Sequence, residues 1–336
     1  MSLRFPATIT KLVHSLVFMS CLSLVESPEI QAVIGNDVIL PCHTVFDKNN
    51  SKVTWKHSGQ IVHTYQYGKD YLTNQHTNFK NRTSLFHDEM TRGNLSLKLT
   101  NVTERDAGSY SCEVPEQSKH LITLVVEIQA VIGDDVILPC HTVFDKNNSK
   151  VTWKHRDQIV HTYQYGKDYL TNQHTNFKNR TSLFHDEMTR GNLSLKLTNV
   201  TERDAGSYSC EVPEHPGHLI TLVVEIQAVI GDDVILPCHT VFDKNNSKVT
   251  WKHSGQIVHT YQYGKDYLTN QDTNFKNRTS LFHDEMTRGN LSLKLTNVTE
   301  RDAGSYSCEV PEHPGHNITL VVERKPTKGP VHVTSK

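Results

Sequence analysis

The sequence predicts an all-β protein built as three tandem β-sandwiches, and three observations carry that prediction. A unit of about a hundred residues, the size of a small domain, occurs three times almost letter for letter, over 30–127, 128–225 and 226–323. Each copy holds its own pair of cysteines and one tryptophan. Each copy also shows short runs of alternating polar and apolar residues, with no helical period.

In the first copy the elements follow in order. Residues 37–40 form a short apolar strand leading to Cys42, and 52–57 place Val53 and Trp55 on one face. The run 61–65 is β-branched and aromatic. Residues 94–99 alternate strictly, with Leu95, Leu97 and Leu99 inward and Asn94, Ser96 and Lys98 outward. Strands over 110–114 and 121–125 complete the set, and turn-prone clusters such as Asp47-Lys48-Asn49-Asn50 and Arg92-Gly93 punctuate it. No Pro, Gly or Ser linker separates the copies, so the last strand of one unit is expected to run straight into the first strand of the next, which favours a stiff junction with Gly133 as the place for a hinge.

Cys42 and Cys112 lie 70 residues apart, Trp55 follows the first by 13, and Tyr110 precedes the second by two. The same set recurs as Cys140, Trp153, Tyr208 and Cys210, and as Cys238, Trp251, Tyr306 and Cys308. This is the immunoglobulin pattern, which implies an inter-sheet disulfide in each unit, a tryptophan packed on it and a tyrosine corner. The 70-residue interval leaves room for the two extra strands of a V-type domain, here 61–65 and a piece near 71–73. The expected organisation is a signal peptide over 1–27, V-type units over 28–127, 128–225 and 226–323, and a polar tail over 324–336.

The 336 residues exceed what one hydrophobic core serves, which agrees with several small domains. A formal net charge of -1 gives no reason to expect nucleic acid or an anionic membrane surface as partner. At the N-terminus, Arg4 and Lys11 precede an apolar stretch broken by His14, Ser15, Ser20 and Ser23, which reads as a secretory signal rather than a membrane span. Cys21 is expected to leave with it, and an even set of cysteines in an exported chain reads as disulfides. No other run approaches membrane-spanning length. The chain is therefore expected to be extracellular, secreted as given, or held on the outer side of the plasma membrane where the natural product carries an anchor.

The stretch Asp106-Ala107-Gly108-Ser109-Tyr110-Ser111-Cys112, with Gly93-Asn94-Leu95-Ser96-Leu97 and the run from Ile61 through Tyr65-Gln66-Tyr67-Gly68-Lys69-Asp70, resembles the V-set domains of the butyrophilin and B7 family. The resemblance implies that Arg82 pairs with Asp106, Arg180 with Asp204 and Arg278 with Asp302, as clamps at one end of each sandwich that bind nothing. It also implies a protein receptor on immune cells as partner and an effect on T-cell activation and cytokine production. Family members typically follow one V-set with a C-type domain and a membrane span, and neither pattern occurs in this sequence.

Other chemistry finds little support. The 21 histidines are largely six positions, His43, His57, His63, His76, His87 and His120, counted through near-identical copies. None forms H-x-x-x-H or H-E-x-x-H, so they are expected to be exposed loop residues and no metal or cofactor is implied. No G-x-S-x-G elbow, phosphate-cradling loop or paired-carboxylate motif points to an enzyme. Glycosylation is the one strong signal: Asn49, Asn81, Asn94 and Asn101 head N-x-S/T sequons, as do Asn147, Asn179, Asn192 and Asn199, then Asn245, Asn277, Asn290 and Asn297, and Asn317 adds one more. Asn94 and its counterparts are expected on the outside of the leucine-bearing strand, shielding that sheet. The opposite sheet would then be the binding surface, with Lys56, His63, Tyr65, Tyr67 and Glu113 as candidates, tyrosines being favoured where large rigid contacts are needed. The partner is expected to be a receptor protein, or alternatively a second copy of the chain in an adhesive contact.

Overall fold

The computed structural model describes residues 27–324 apart from residue 312. The expected signal segment short of Ser27, including Cys21, and the tail beyond Arg324 lie outside the described residues. In the first unit the strands are β1 (Glu29–Val33), β2 (Val38–Leu40), β3 (Lys52–His57), β4 (Gln60–Gln66), β5 (Lys69–Asp70), β6 (Thr83–Leu85), β7 (Leu97–Leu99), β8 (Gly108–Glu113) and β9 (His120–Val131). They form two sheets. The larger runs β5-β4-β3-β8-β9, with β1 parallel to β9, and the smaller runs β2-β7-β6. The second and third units repeat this arrangement.

Alternation explains why the two sheets face each other. Val53 and Trp55 from β3, Tyr110 and Cys112 from β8, and Ile122, Leu124 and Val126 from β9 point into the sandwich and meet Leu40, Leu95, Leu97 and Leu99 from the other side. The Trp55 indole N–H donates to the Leu95 carbonyl at 3.0 Å, so the largest buried side chain leaves no unpaired donor. Disulfides join Cys42 to Cys112, Cys140 to Cys210 and Cys238 to Cys308. The tyrosine corner is present, with the Tyr110 hydroxyl donating to the Asp106 carbonyl at 2.9 Å. In the third unit Arg278 grips Asp302 through two bonds of 2.6 and 2.9 Å, and the Thr299 N–H adds a third at 2.7 Å. A buried carboxylate needs this much pairing.

The junctions follow from β9. Its first half closes the first unit against β8, and its second half continues without a break to pair, residue for residue, with Thr221–Glu225 of the next unit's last strand. That strand, His215–Val229, in turn runs on to pair with the strand His313–Glu323. One hydrogen-bonded sheet of sixteen strands therefore passes through all three units.

Two expectations about strands differ. The extra edge strand is Lys69–Asp70 rather than 71–73, because Tyr67 and Gly68 both take positive φ (49° and 83°) in a two-residue turn that pairs Gln66 with Lys69 at once. The strictly alternating run 94–99 is a strand only over Leu97–Leu99, while Asn94 makes an isolated bridge with His43.

Candidate binding face

The outward residues of the larger sheet are set by the same alternation. Thr54 and Lys56 on β3, Ser109, Ser111 and Glu113 on β8, and Leu121, Thr123 and Val125 on β9 turn away from the core. The register aligns them into rows across the strands: Ile61 lies beside Lys56, Lys56 beside Ser111, and Ser111 beside Leu121. A second row runs from Thr64 to Thr54 to Glu113. The Tyr71 N–H donates to the Thr64 carbonyl at 2.8 Å, which extends this row to the exposed Tyr71 at the sheet edge.

The face combines an aliphatic spot with a fixed ion pair. Leu121 is 51% exposed and its counterpart Leu219 54%. The Lys56 ammonium lies 2.7 Å from Glu113, and Lys119 lies 2.9 Å from the same carboxylate's other oxygen. Partial burial raises the Glu113 carboxyl, but hydrogen bonds from Lys56, Lys119 and Ser111 outweigh it and bring the pKa down to about 2. The lysine–glutamate pair recurs as Lys154 with Glu211 and Lys252 with Glu309, both at 2.7 Å, but glycines 217 and 315 replace the second lysine.

Of the five residues proposed from sequence as outward contacts, Lys56 and Glu113 lie on this face and Tyr67 is exposed in the turn at its edge. His63 and Tyr65 do not: each is only 1% exposed. The cause is a bulge. Trp55 pairs with His63 but Lys56 pairs with Ile61, so Val62 is the extra residue, and Ile61 turns outward while His63 and Tyr65 turn inward. His63 bridges Thr83 at 2.8 Å and Asp70 at 3.1 Å, and Tyr65 packs on the rings of Phe46 and His87. His57 is buried too, stacked on Tyr110 at 4.5 Å, so the reading of the histidines as exposed loop residues fails for these two positions. Burial pushes the pKa of both imidazoles down. Ile61, Tyr71, Leu121 and Val125, none of them among those five candidates, are apolar members of the face. Leu121 sits within an alternating strand and was legible as outward there.

The sequons fall mostly elsewhere. Asn49, Asn81 and Asn101 are exposed in connections, the latter two with φ of 62° and 51°. Asn94 is half-buried rather than on an open strand surface: its side-chain N–H donates to Glu89 at 2.5 Å and its oxygen accepts from the Ser96 N–H at 3.0 Å. In the first two units no sequon lies on a strand of the larger sheet. Among the described residues no group of three or more His, Cys, Asp or Glu could hold a metal ion, and no helix is long and apolar enough to cross a membrane.

The immunoglobulin V-set domain family matches residues 25–126, 123–221 and 223–325. The chain belongs to the immunoglobulin V-set family. Its relatives are of the B7 and butyrophilin-like kind, whose V-set domains are extracellular. It is 29% identical to the CD276 antigen homolog of Xenopus laevis over 42% of this chain and 54% of that protein. It is 32% identical to human myelin-oligodendrocyte glycoprotein over 36% of this chain and 47% of that one. With human V-set domain-containing T-cell activation inhibitor 1 it shares 40% identity over 28% of this chain and 35% of the relative. The chain thus spans about half the length, or less, of these relatives. A crystal structure of the human B7-H4 IgV-like domain aligns over 29% of this chain and 90% of that one, with 34% identity and a TM-score of 0.26.

Proposed function

We infer that this V-set chain is an extracellular immune-regulatory binding protein whose larger-sheet faces engage a protein receptor on lymphocytes and alter T-cell activation. The observation that carries this reading is the face itself, an exposed leucine beside an ordered lysine–glutamate pair on a sheet whose strands hold no sequon in the first two units. Binding faces commonly have an apolar anchor ringed by polar groups. The names of its relatives, one of them a T-cell activation inhibitor, support an immune setting. Repetition along one continuous sheet supports multivalent contact, where linked sites raise avidity by about 10²–10⁴ over a single site when a partner is clustered.

The test is staining of resting and activated lymphocytes with a fluorescent multimer of glycosylated 28–336 protein, beside cells that display the same chain. Saturable lymphocyte staining is expected, and Leu121→Arg with Leu219→Arg should reduce it at least tenfold without changing thermal unfolding. Staining confined to the self-displaying cells would replace the receptor reading with adhesion between copies.

A further inference from the structure

We propose that Asn317 carries an N-linked glycan that covers the outer face of the third unit, so that the chain offers two open faces rather than three. This rests on the reading of that face given above. Leu121 and Leu219 are followed two residues later by Thr123 and Thr221, and the third unit keeps Thr319. Replacing the leucine by asparagine is therefore the single change that creates a sequon here.

The structure puts that asparagine in the middle of the face. Asn317 pairs with Ser307, which in turn pairs with Lys252, so it occupies the end of the row formed in the first unit by Lys56, Ser111 and Leu121. It is exposed, and no hydrogen bond from its side chain occurs among the described residues, in contrast to Asn290, whose amide is held by Glu285 at 2.5 Å. Of the thirteen sequons, Asn317 alone lies on a strand of the larger sheet. The change removes an apolar anchor and supplies an attachment point for a bulky hydrophilic group at the same position.

In the attachment step the Asn317 amide nitrogen bonds to the anomeric carbon of an oligosaccharide carried on a lipid pyrophosphate. The bond from that carbon to the phosphate oxygen breaks, the lipid pyrophosphate leaves with the electron pair, and the amide gives up one proton. No electrons are exchanged with an oxidant or reductant.

The tryptic peptide 302–324 contains no other sequon, so mass spectrometry of protein secreted from glycosylating cells reads occupancy directly. Masking is read by thiol chemistry in two full-length proteins, one with Ser209→Cys and one with Ser307→Cys, each treated with a bulky polymer maleimide. Modification is expected to be at least tenfold slower at 307 than at 209, and Thr319→Ala should remove the difference. An unmodified Asn317, or equal rates with Asn317 occupied, overturns the proposal. On lymphocytes, Asn317→Leu added to the Leu121→Arg, Leu219→Arg protein is expected to restore staining about tenfold, and failure to do so while the parent protein stains overturns two-face valency. If the parent protein itself does not stain, the receptor reading fails, while the occupancy and thiol measurements still decide the glycan.

Discussion

Glu104 and Glu300 occupy the same position in near-identical units, yet the side chain of Glu104 is 9% exposed and that of Glu300 57%. The difference is the neighbour. Glu104 accepts a bond from His141 of the second unit at 3.0 Å, and Arg105 beside it donates to the His141 carbonyl at 2.9 Å. Glu202 meets His239 in the same way at 2.8 Å, whereas among the described residues Glu300 meets Arg324, at 2.7 Å. At the other end, His43 is exposed and makes no side-chain hydrogen bond among the described residues, although its counterparts are those junction histidines. Identical letters thus take different surroundings according to the neighbouring unit they meet. The interior of each unit is much less sensitive to this: the three cores share most of their residues, although Val322 is only half-buried where Val126 and Val224 are 1% exposed.

The largest test of that separation removes one core cross-link. Replacing Cys238 and Cys308 by alanine releases a 70-residue loop and is expected to cost about 4 kcal/mol. That is a large part of a small domain's stability. In calorimetry the third unit's transition should fall by roughly 15–30 °C while the first two stay in place. If all three transitions move together, the shared strands couple the folding of the units and the comparison of independent cores with dependent junctions breaks.

A smaller effect is expected at the junctions themselves. Glu104→Ala or Glu202→Ala removes a charged acceptor from a half-buried contact, which costs about 1–2 kcal/mol of docking rather than of unit stability. Small-angle scattering should then show a wider spread of chain dimensions with unit melting unchanged. Glu300→Ala should change neither. Equal behaviour of all three variants would mean that the backbone pairing of the long strands alone fixes the angle between units.

Much of this was readable from the letters, and the failures have local causes. The Cys-Trp-Tyr-Cys spacing is the immunoglobulin pattern, and that resemblance implied two sheets joined by a disulfide with the indole packed against it. The direct passage of β9 from one unit to the next was visible as the absence of a linker. What alternation could not show is the bulge at Val62, which separates Ile61 from His63 and Tyr65 although all three are spaced by two. Nor could it show that His63 has polar partners inside, since Thr83 and Asp70 come from other strands. The junction contacts were hidden for the same reason: His141 finds Glu104 only after two units have folded.

The smallest expected effect compares the second unit with the first at one turn. Ser58 and Gly59 become Arg156 and Asp157, and the Arg156 guanidinium donates to the Ala205 carbonyl at 3.2 Å, close to His155. Burial lowers the His155 pKa, and the nearby arginine lowers it further, to about 4. In the unfolded chain the imidazole takes its proton near pH 6.5, so the stability from keeping it neutral is fully present above that value. It is lost as pH falls from about 6.5 to about 4, where the folded form also becomes protonated. Arg156→Ser, the residue at this place in the other two units, should raise the His155 pKa in an NMR titration. It should also lessen the second unit's loss of stability between pH 7 and pH 5 by less than about 1 kcal/mol. An unchanged titration would show that burial beside Tyr208 alone sets the imidazole, and that the second unit's distinct turn has no electrostatic consequence for its core.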